Sequence, residues 1–193
     1  MPASGTTKMT LAASMKELME QKDFSKISVG EICEKCGINR KSFYYHFRDK
    51  YDLVNWIYYV DFLEHMNVTD SDTSWNIFCS ICQYFYTESK FYRNALRIEG
   101  QNSFHDYFYE TLSIYLRYLL QDVFPDEKQQ TFSINFFCDA FYSAIHRWLT
   151  SREIMPVEEF LDHIHEVLEK SALLFLEQNS QSSTVDDTAP SGS

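Results

Sequence analysis

The chain has 193 residues, of which 45% are hydrophobic and 23% are charged, and it contains only five glycines and four prolines. This composition excludes a disordered or collagen-like chain and predicts one or two globular domains built from long helices. No segment reaches the roughly 18 apolar residues of a membrane span, and the N-terminal MPASGTTK lacks the apolar core of a signal peptide, so we expect a cytoplasmic protein.

The formal net charge of −11 is unevenly divided along the chain. Residues 1–50 contain nine Lys/Arg and six Asp/Glu, a net charge of +3, so the remaining residues contain eight and 22, a net charge of −14. Phosphate binding depends on local charge, because salt screens charges beyond about 8–10 Å. A basic N-terminal region on an acidic body is therefore compatible with DNA binding.

The first predicted helix begins at Thr7, after a mobile arm formed by residues 1–6. Apolar residues at helical spacing form its inward face: Met9, Ala12, Met15, Leu18 and Met19. We expect Phe24 and Ile27 to help this face close over the next two helices.

The second predicted helix starts with a capping box. Ser28 and Glu31 are three residues apart, so each side chain can bind the backbone N–H of the other, and the helix should begin at Val29. Its apolar residues have helical spacing, and Gly37 tolerates the left-handed conformation that ends a helix. A turn is therefore predicted at Gly37.

A third, short helix follows, with Asn39 as its N-cap. Phe43 and Phe47, four residues apart, point inward. Three adjacent polar-tipped residues cannot all face inward as well, so the remaining side chains should face outward: Arg40, Lys41, Ser42, Tyr44, Tyr45 and His46. The pattern predicts a helix-turn-helix with an outward face suited to nucleic acid.

The region from the second to the third predicted helix resembles the DNA-binding domain of the TetR/AcrR family of transcriptional regulators. The resemblance lies in the second helix, the Gly-aliphatic-polar turn, the short helix reading SFYYHF, and the basic residue and Asp49-Lys50 that follow it. Cys33 and Cys36 stand where small residues, usually alanine, are common in that family, and both are small enough to fit. The resemblance implies an all-α fold with an N-terminal three-helix helix-turn-helix domain, residues 1–50, and a larger helical ligand-binding and dimerisation domain, residues 51–178.

The recognition surface divides by position. The N-terminal half of the third helix reaches base edges in this motif, so Arg40, Lys41, Ser42 and Tyr44 should set sequence choice. Tyr45 and His46 lie further round the helix, and Lys50 stands at the N-terminus of the next helix, so these three residues should hold phosphates.

The rest of the chain is predicted to be helical. Asp49 and Asp52 cap a fourth helix that ends near Asn67, and residues 69–74 form a polar break. Further helices are expected at about 74–89, 91–99, 103–123, 127–151 and 156–178, with a break around residues 124–126. The polar tail, residues 179–193, should be disordered.

The helix at 127–151 has an apolar face that is wider than one packing partner requires: Ile134, Phe137, Phe141, Ala144, Ile145, Trp148 and Leu149. The helix after it is also amphipathic. In the family that the chain resembles, the last two long helices pair with their copies in a second subunit as a four-helix bundle, so we expect a homodimer.

Twenty-seven of the 32 aromatic residues follow residue 50. They form either a filled core or the lining of a small-molecule pocket, and the resemblance implies the pocket. The candidate ligand-binding residues are Arg93, Arg97, His105, Tyr107, Tyr142 and His146.

Two cysteine pairs, Cys33/Cys36 and Cys79/Cys82, have the spacing of half a zinc site, but both lie within predicted amphipathic helices. Buried cysteine is the favoured interpretation, and a redox switch stays an alternative. His163 and His165 point to different sides of their helix. No catalytic motif appears in the sequence, so we predict no enzyme, no cofactor and no metal.

The residue pattern and the family resemblance together predict a ligand-responsive transcriptional regulator that binds operator DNA as a homodimer, with repression as the expected direction of control. Two alternatives remain. One is a DNA-binding co-regulator or activator controlled by a protein partner, and the other is a thiol redox sensor.

Overall fold

The computed structural model describes residues 3–65, 74–98, 104–120, 123–124 and 126–183, and within these ranges the chain is helical, with no strand. The all-α prediction is confirmed. The helices are α1 (Ala3–Gln21), α2 (Val29–Cys36), α3 (Arg40–His46), α4 (Lys50–His65), α5 (Ser74–Thr87), α6 (Ser89–Ala95), α7 (Phe104–Leu120), α8 (Glu127–Thr150) and α9 (Val157–Ser183). A 3-10 turn, Phe24–Lys26, precedes α2. No helix in the described ranges combines the length and the apolar character needed to cross a membrane.

The capping box predicted for α2 is present. The Glu31 amide donates to Ser28 Oγ at 3.2 Å, and the Ser28 amide donates to Glu31 Oε2 at 2.8 Å. The Lys22 ammonium, the Ser28 amide and the Ser28 hydroxyl together lower the pKa of the Glu31 carboxyl to about 2. Gly37 ends the helix in the left-handed conformation, with φ +68°, as its position after α2 predicts.

The next two helices also begin where the sequence predicts. Asn39 Oδ1 accepts the Ser42 amide at 2.8 Å and caps α3. At the start of α4, Asp49 Oδ1 accepts the Asp52 amide at 2.8 Å, while Asp52 Oδ2 accepts the Arg48 amide at 2.9 Å. The helix-turn-helix is therefore held at each start by a short side chain that binds backbone N–H groups.

Helix α1 differs from the prediction at its start. Residues 3–6, predicted to be a mobile arm, belong to the helix. Met9, predicted to face inward, is 53% exposed, whereas Leu11 and Met15 are fully buried. Two residues rotate a helix by about 200°, so Met9 lies opposite the face that Leu11 occupies. The predicted face was correct from Ala12 onward.

Helix α6 is fastened to the end of α1 by Asn94. The Asn94 side-chain amide donates to the carbonyls of Met19 at 2.7 Å and Lys22 at 3.0 Å. Carbonyls at a helix C-terminus have no partner within the helix, so this side chain satisfies two of them. The contact joins the helix-turn-helix region to the helices that follow it.

A polar cluster, which we call the Lys16–Asp61 cluster, connects four helices. The Lys16 ammonium of α1 lies 3.0 Å from Asp61 Oδ2 of α4 and 3.5 Å from Glu88 Oε2, and it donates to the Tyr84 hydroxyl of α5 at 2.9 Å. The Tyr92 hydroxyl of α6 donates to Asp61 Oδ2 at 2.8 Å. Burial alone would lower the pKa of the Lys16 ammonium, but Tyr84 and Asp61 outweigh it and raise that pKa.

The aromatic residues after α3 form a packed interior. The Tyr58 ring of α4 is buried, and its centroid lies 5.1–6.2 Å from those of four neighbouring rings: Phe85, Phe104, Tyr107 and Phe108. The Phe85 and Tyr92 centroids are 4.3 Å apart. At these separations the rings contact one another directly, so the protein's own side chains fill this part of the interior.

Helix α8 begins at the predicted break, where Asp126 Oδ1 accepts the Gln129 amide at 3.0 Å. Its buried residues include Ile134, Ile145, Trp148 and Leu149, all four of which the sequence placed on the wide apolar face. Two aromatic side chains near its start are exposed instead, Phe132 by 73% and Phe136 by 59%. Exposed aromatic residues in neighbouring turns are typical of an interaction surface.

The chain divides into two compact units, residues 1–154 and 155–193. The domain boundary after residue 50 stays a prediction, and within the first unit Asn94 and the Lys16–Asp61 cluster connect the helix-turn-helix to α4, α5 and α6. In the second unit, α9 continues to Ser183, so residues 179–183 are helical where a disordered tail was predicted. The rest of that tail and the break predicted at residues 69–73 lie outside the described residues.

We expect replacement of Asp61 by alanine to lower the free energy of unfolding by about 2–3 kcal/mol, because it leaves the half-buried Lys16 ammonium without its main counter-charge. Lys90→Ala is the matched control, because Lys90 and Glu20 form an exposed pair at 3.8 Å; its loss should change the unfolding free energy by less than about 0.5 kcal/mol. Chemical denaturation measures both. Equal effects of the two substitutions would contradict a structural role for the cluster.

Candidate nucleic-acid interface and effector residues

The outward face of α3 is formed as the sequence predicts. Phe43 is fully buried and Phe47 nearly so, and their rings contact each other at 5.9 Å between centroids. This contact turns the other side chains of α3 outward. Four of them are exposed, namely Arg40, Lys41, Tyr44 and Tyr45, while Ser42 and His46 are half-buried.

Ring contacts fix the directions of the aromatic side chains on this face. The Tyr44 ring stands edge-on to Phe43 at 5.4 Å, and the Tyr45 ring stands edge-on to His46 at 5.0 Å. Tyr44 is 57% exposed and Tyr45 is 82% exposed. Exposing two large rings costs solvation free energy unless a partner covers them, so this surface has the character of a binding face.

Lys50 has a different environment from the one expected of a phosphate-binding residue. Its ammonium donates to the carbonyls of Ile27 at 2.7 Å and Phe24 at 2.8 Å, and it lies 4.2 Å from the centroid of the Phe24 ring. Burial lowers the pKa of Lys50 despite the charge of Glu31. The side chain therefore fastens the 3-10 turn to the start of α4. These carbonyls compete with a DNA phosphate for the Lys50 donors, and a phosphate contact by Lys50 stays a prediction.

Arg48 is a cation that sequence reasoning did not assign to the DNA-binding face. It follows α3 directly and is exposed, and its guanidinium lies 3.6 Å from Asp49 in an ion pair that water screens. The signal that could have identified it is its position, one residue after Phe47 at the end of the predicted recognition helix. No comparable signal in the sequence shows the environment of Lys50, since the carbonyls that it binds are more than twenty residues away in the sequence.

The six candidate ligand residues do not form one site. Arg93 donates to the carbonyls of Leu149 at 2.9 Å and Ser151 at 2.8 Å, so it satisfies the C-terminal end of α8. Tyr107 is half-buried against Tyr58, at 5.8 Å between ring centroids. Both side chains therefore have structural partners.

Arg97 lines a cavity of about 370 Å³ whose other walls are Asp23, Phe24, Ser25, Tyr51, Asn94 and Ile98. This cavity lies between the 3-10 turn and α6. It is separate from the other candidate residues, none of which lines it.

Three candidates do come together between α7 and α8. The His105 ring stands edge-on to Tyr142 at 4.4 Å, and Tyr142 lies 5.8 Å from the ring of His146. All three are half-buried, and His105 Nδ1 lies 3.1 Å from the Asp106 carboxylate. Burial raises the pKa of the Tyr142 hydroxyl, and Asp106 adds to this effect. We call these three residues the His105–Tyr142–His146 cluster.

All five cysteines are free thiols. Burial raises the pKa of Cys33, Cys79 and Cys82, and it raises that of Cys138 to about 11. A protonated thiol is a poor nucleophile, so these environments favour inert, structural cysteines. Within the described part of the chain, no group of three or more His, Cys, Asp or Glu residues is placed to hold a metal ion.

Comparison with known proteins agrees with this geometry. Residues 11–57 match the family described as bacterial regulatory proteins, tetR family, and residues 72–170 match the family described as the transcriptional regulator C-terminal region. The HTH-type dhaKLM operon transcriptional activator DhaS of Lactococcus lactis subsp. lactis (strain IL1403) is 29% identical over 100 residues, which are 51% of this chain and 54% of that protein. The chain thus matches about half the length of this curated relative.

Solved structures share the fold along most of both chains. The dihydroxyacetone kinase operon activator DhaS has a TM-score of 0.66 and 21% identity, over 86% of this chain and 95% of that one. A TetR transcriptional regulator from Streptococcus agalactiae 2603V has a TM-score of 0.64 and 21% identity, over 83% and 92%. With both family matches and an exposed recognition helix, the chain belongs to the TetR family of transcriptional regulators.

Proposed function

We propose that this TetR family regulator binds operator DNA through the outward face of α3. The observation that supports the proposal most is the exposure of Arg40, Lys41, Tyr44 and Tyr45 on a helix whose other side is anchored by Phe43. A helix of this kind fits the major groove, where arginine can bind guanine with two hydrogen bonds. Arg40, Lys41, Ser42 and Tyr44 set sequence choice in this proposal, and Tyr45 and His46 contact phosphates.

In this proposal Arg48, and not Lys50, is the cation that contacts a DNA phosphate. The Lys50 ammonium is held by carbonyls, whereas Arg48 has only a screened ion pair with Asp49. The Lys50 ammonium must give up bonds to these carbonyls before it donates to a phosphate, so in this proposal it neutralises no phosphate and releases no counterion. Lys50 then supports the DNA-binding face indirectly, by holding the turn that precedes α2.

We further propose that two copies bind together. Phe132 and Phe136 are exposed on α8, and Val167, Leu168, Leu173 and Leu174 are exposed on α9. A second copy of the chain would remove each of these faces from water. Two recognition helices about 34–36 Å apart would then enter successive turns of the major groove.

The effector in this proposal is a small molecule that binds at the His105–Tyr142–His146 cluster. The rings around Tyr58 already fill the interior, so a ligand would bind at its edge, where half-buried polar tips lie among aromatic rings. A protein partner is the second candidate effector. The filled interior around Tyr58 is the observation that supports it. The relative DhaS is named as an activator, so activation stands beside the predicted repression as the direction of control.

Selection of sites from a random DNA pool by the purified chain tests DNA binding and the dimer together. We expect a palindromic site with two half-sites one helical turn apart, since a symmetric dimer imposes its symmetry on the operator. Recovery of a single, non-palindromic half-site would contradict the dimer, and recovery of no preferred sequence would contradict the proposed function.

Three variants on the selected site separate the roles of the cations. Arg40→Ala should cost roughly 1–3 kcal/mol and relax preference at one base pair. Arg48→Ala should weaken binding to selected and scrambled DNA alike and lower the salt slope by about one unit for each phosphate that the guanidinium no longer neutralises. Lys50→Ala should leave the salt slope unchanged and lower the melting temperature. A lower salt slope for Lys50→Ala would restore Lys50 as a phosphate ligand.

Replacement of His146 by alanine tests the effector proposal. The variant should bind the selected operator as tightly as the parent but respond less to inducer supplied by a cell extract, because operator and effector affinities are coupled through separate sites. Arg93→Ala is the comparison, since Arg93 holds the end of α8 and its loss should lower stability. A loss of basal operator affinity in the His146 variant would mean that His146 is structural.

A further inference from the structure

Gly30, in the first turn of α2, lies directly beneath the side chain of Arg40. A Cβ atom built on Gly30 would stand 2.4 Å from Arg40 Nη2, 3.3 Å from Cζ and 3.4 Å from Nε. The first of these distances is far below a van der Waals contact. The guanidinium of Arg40 therefore occupies the space that any other residue at position 30 would fill with its side chain.

The backbone does not require glycine at this position. Among the described residues a positive φ is recorded for Gly37, and Gly30 has ordinary helical geometry. Glycine within a helix is less favourable than alanine, because the unfolded chain loses more conformational freedom. The contact with Arg40 is the feature that distinguishes Gly30 from an ordinary helical position.

Arg40 is the first residue of α3 and is exposed. Within the ranges that the structure describes, its guanidinium forms no ion pair and no hydrogen bond, and its close approach to Gly30 is the contact that places it against α2. Its charge acts on the Cys33 thiol of α2, where it opposes the rise in pKa that burial causes. The side chain is thus laid back over α2, with its hydrogen-bond donors available to a ligand.

We propose that Gly30 is a specificity-determining residue that acts as a seat for Arg40 and so fixes which base pair the guanidinium reads. The proposal rests on the proposed DNA binding. A two-hydrogen-bond contact with guanine requires the planar guanidinium in one orientation, and a flexible side chain loses conformational freedom to reach it. The flat surface at Gly30 restricts Arg40 before DNA arrives, although Gly30 itself is a positioning residue and need not touch DNA.

The variant Gly30→Ala tests the seat, because its methyl group displaces the end of a flexible side chain and not the backbone. We expect it to keep the fold, with a melting temperature no lower than that of the parent. Its affinity for the selected operator should fall, at most by the roughly 5- to 150-fold that removal of one arginine–guanine pair causes. Preference should relax at the same base pair as in Arg40→Ala.

Two controls make the result specific. Gly30→Ala introduced into Arg40→Ala should cause no further loss of affinity, because the group that the seat holds is absent. Gly5→Ala should leave operator binding unchanged, since a Cβ on Gly5, in α1, would meet nothing within 4 Å. This second control measures the general effect of replacing a helical glycine by alanine.

The inference is overturned if Gly30→Ala binds and discriminates as the parent does, if the losses from the two substitutions add, or if Arg40→Ala leaves base preference unchanged. Each of these results leaves the proposed operator binding through α3 intact, since the parent would still bind its operator, and the last one would also remove Arg40 from the residues that set sequence choice. If the parent itself selects no DNA sequence, the proposed function fails and the seat fails with it.

Discussion

The ion pair between Lys16 and Asp61 holds the helix-turn-helix in place on the rest of the first unit. It joins α1, which supports the helix-turn-helix, to α4, and Tyr84 and Tyr92 extend it to α5 and α6. A half-buried charge pair requires close geometry, because removal of either partner leaves an uncompensated charge in a poorly solvated place. The cluster therefore favours one arrangement of these helices over nearby alternatives.

Helix α4 is held at two points along its length, so its movement is coupled to the helix-turn-helix. Lys50 holds its first turn to the carbonyls that precede α2, and Asp61, about 16 Å further along, holds it to α1. Any displacement of α4 must therefore move the helix-turn-helix or break one of these contacts. In the proposed regulator, an effector that shifts the helices packed on α4 would change the placement of α3 by this route.

Local sequence signals predicted the helix-turn-helix well because the interactions that define it are local. The capping box at Ser28, the glycine at position 37 and the Asn39 cap each involve residues within a few positions of one another.

The environments of Lys50 and Arg93 depend instead on carbonyls more than twenty residues away, so the sequence did not show that backbone carbonyls bind these two cations. The same limit applies to Gly30, whose role appears only when Arg40 folds back over it. The end of α9 was set too early because polar composition alone does not stop a helix that already has many turns.

Oxidative labelling of tyrosines, with and without the selected operator, tests the central claim that α3 forms the DNA-binding face. Tyr44 and Tyr45 are exposed on α3, and Tyr59, 44% exposed on α4, is an internal control of the same chemistry. Operator DNA should protect Tyr44 and Tyr45 and leave Tyr59 unchanged, while scrambled DNA at the same concentration should protect them less. Unchanged labelling of Tyr44 and Tyr45 in a saturated operator complex would contradict the account.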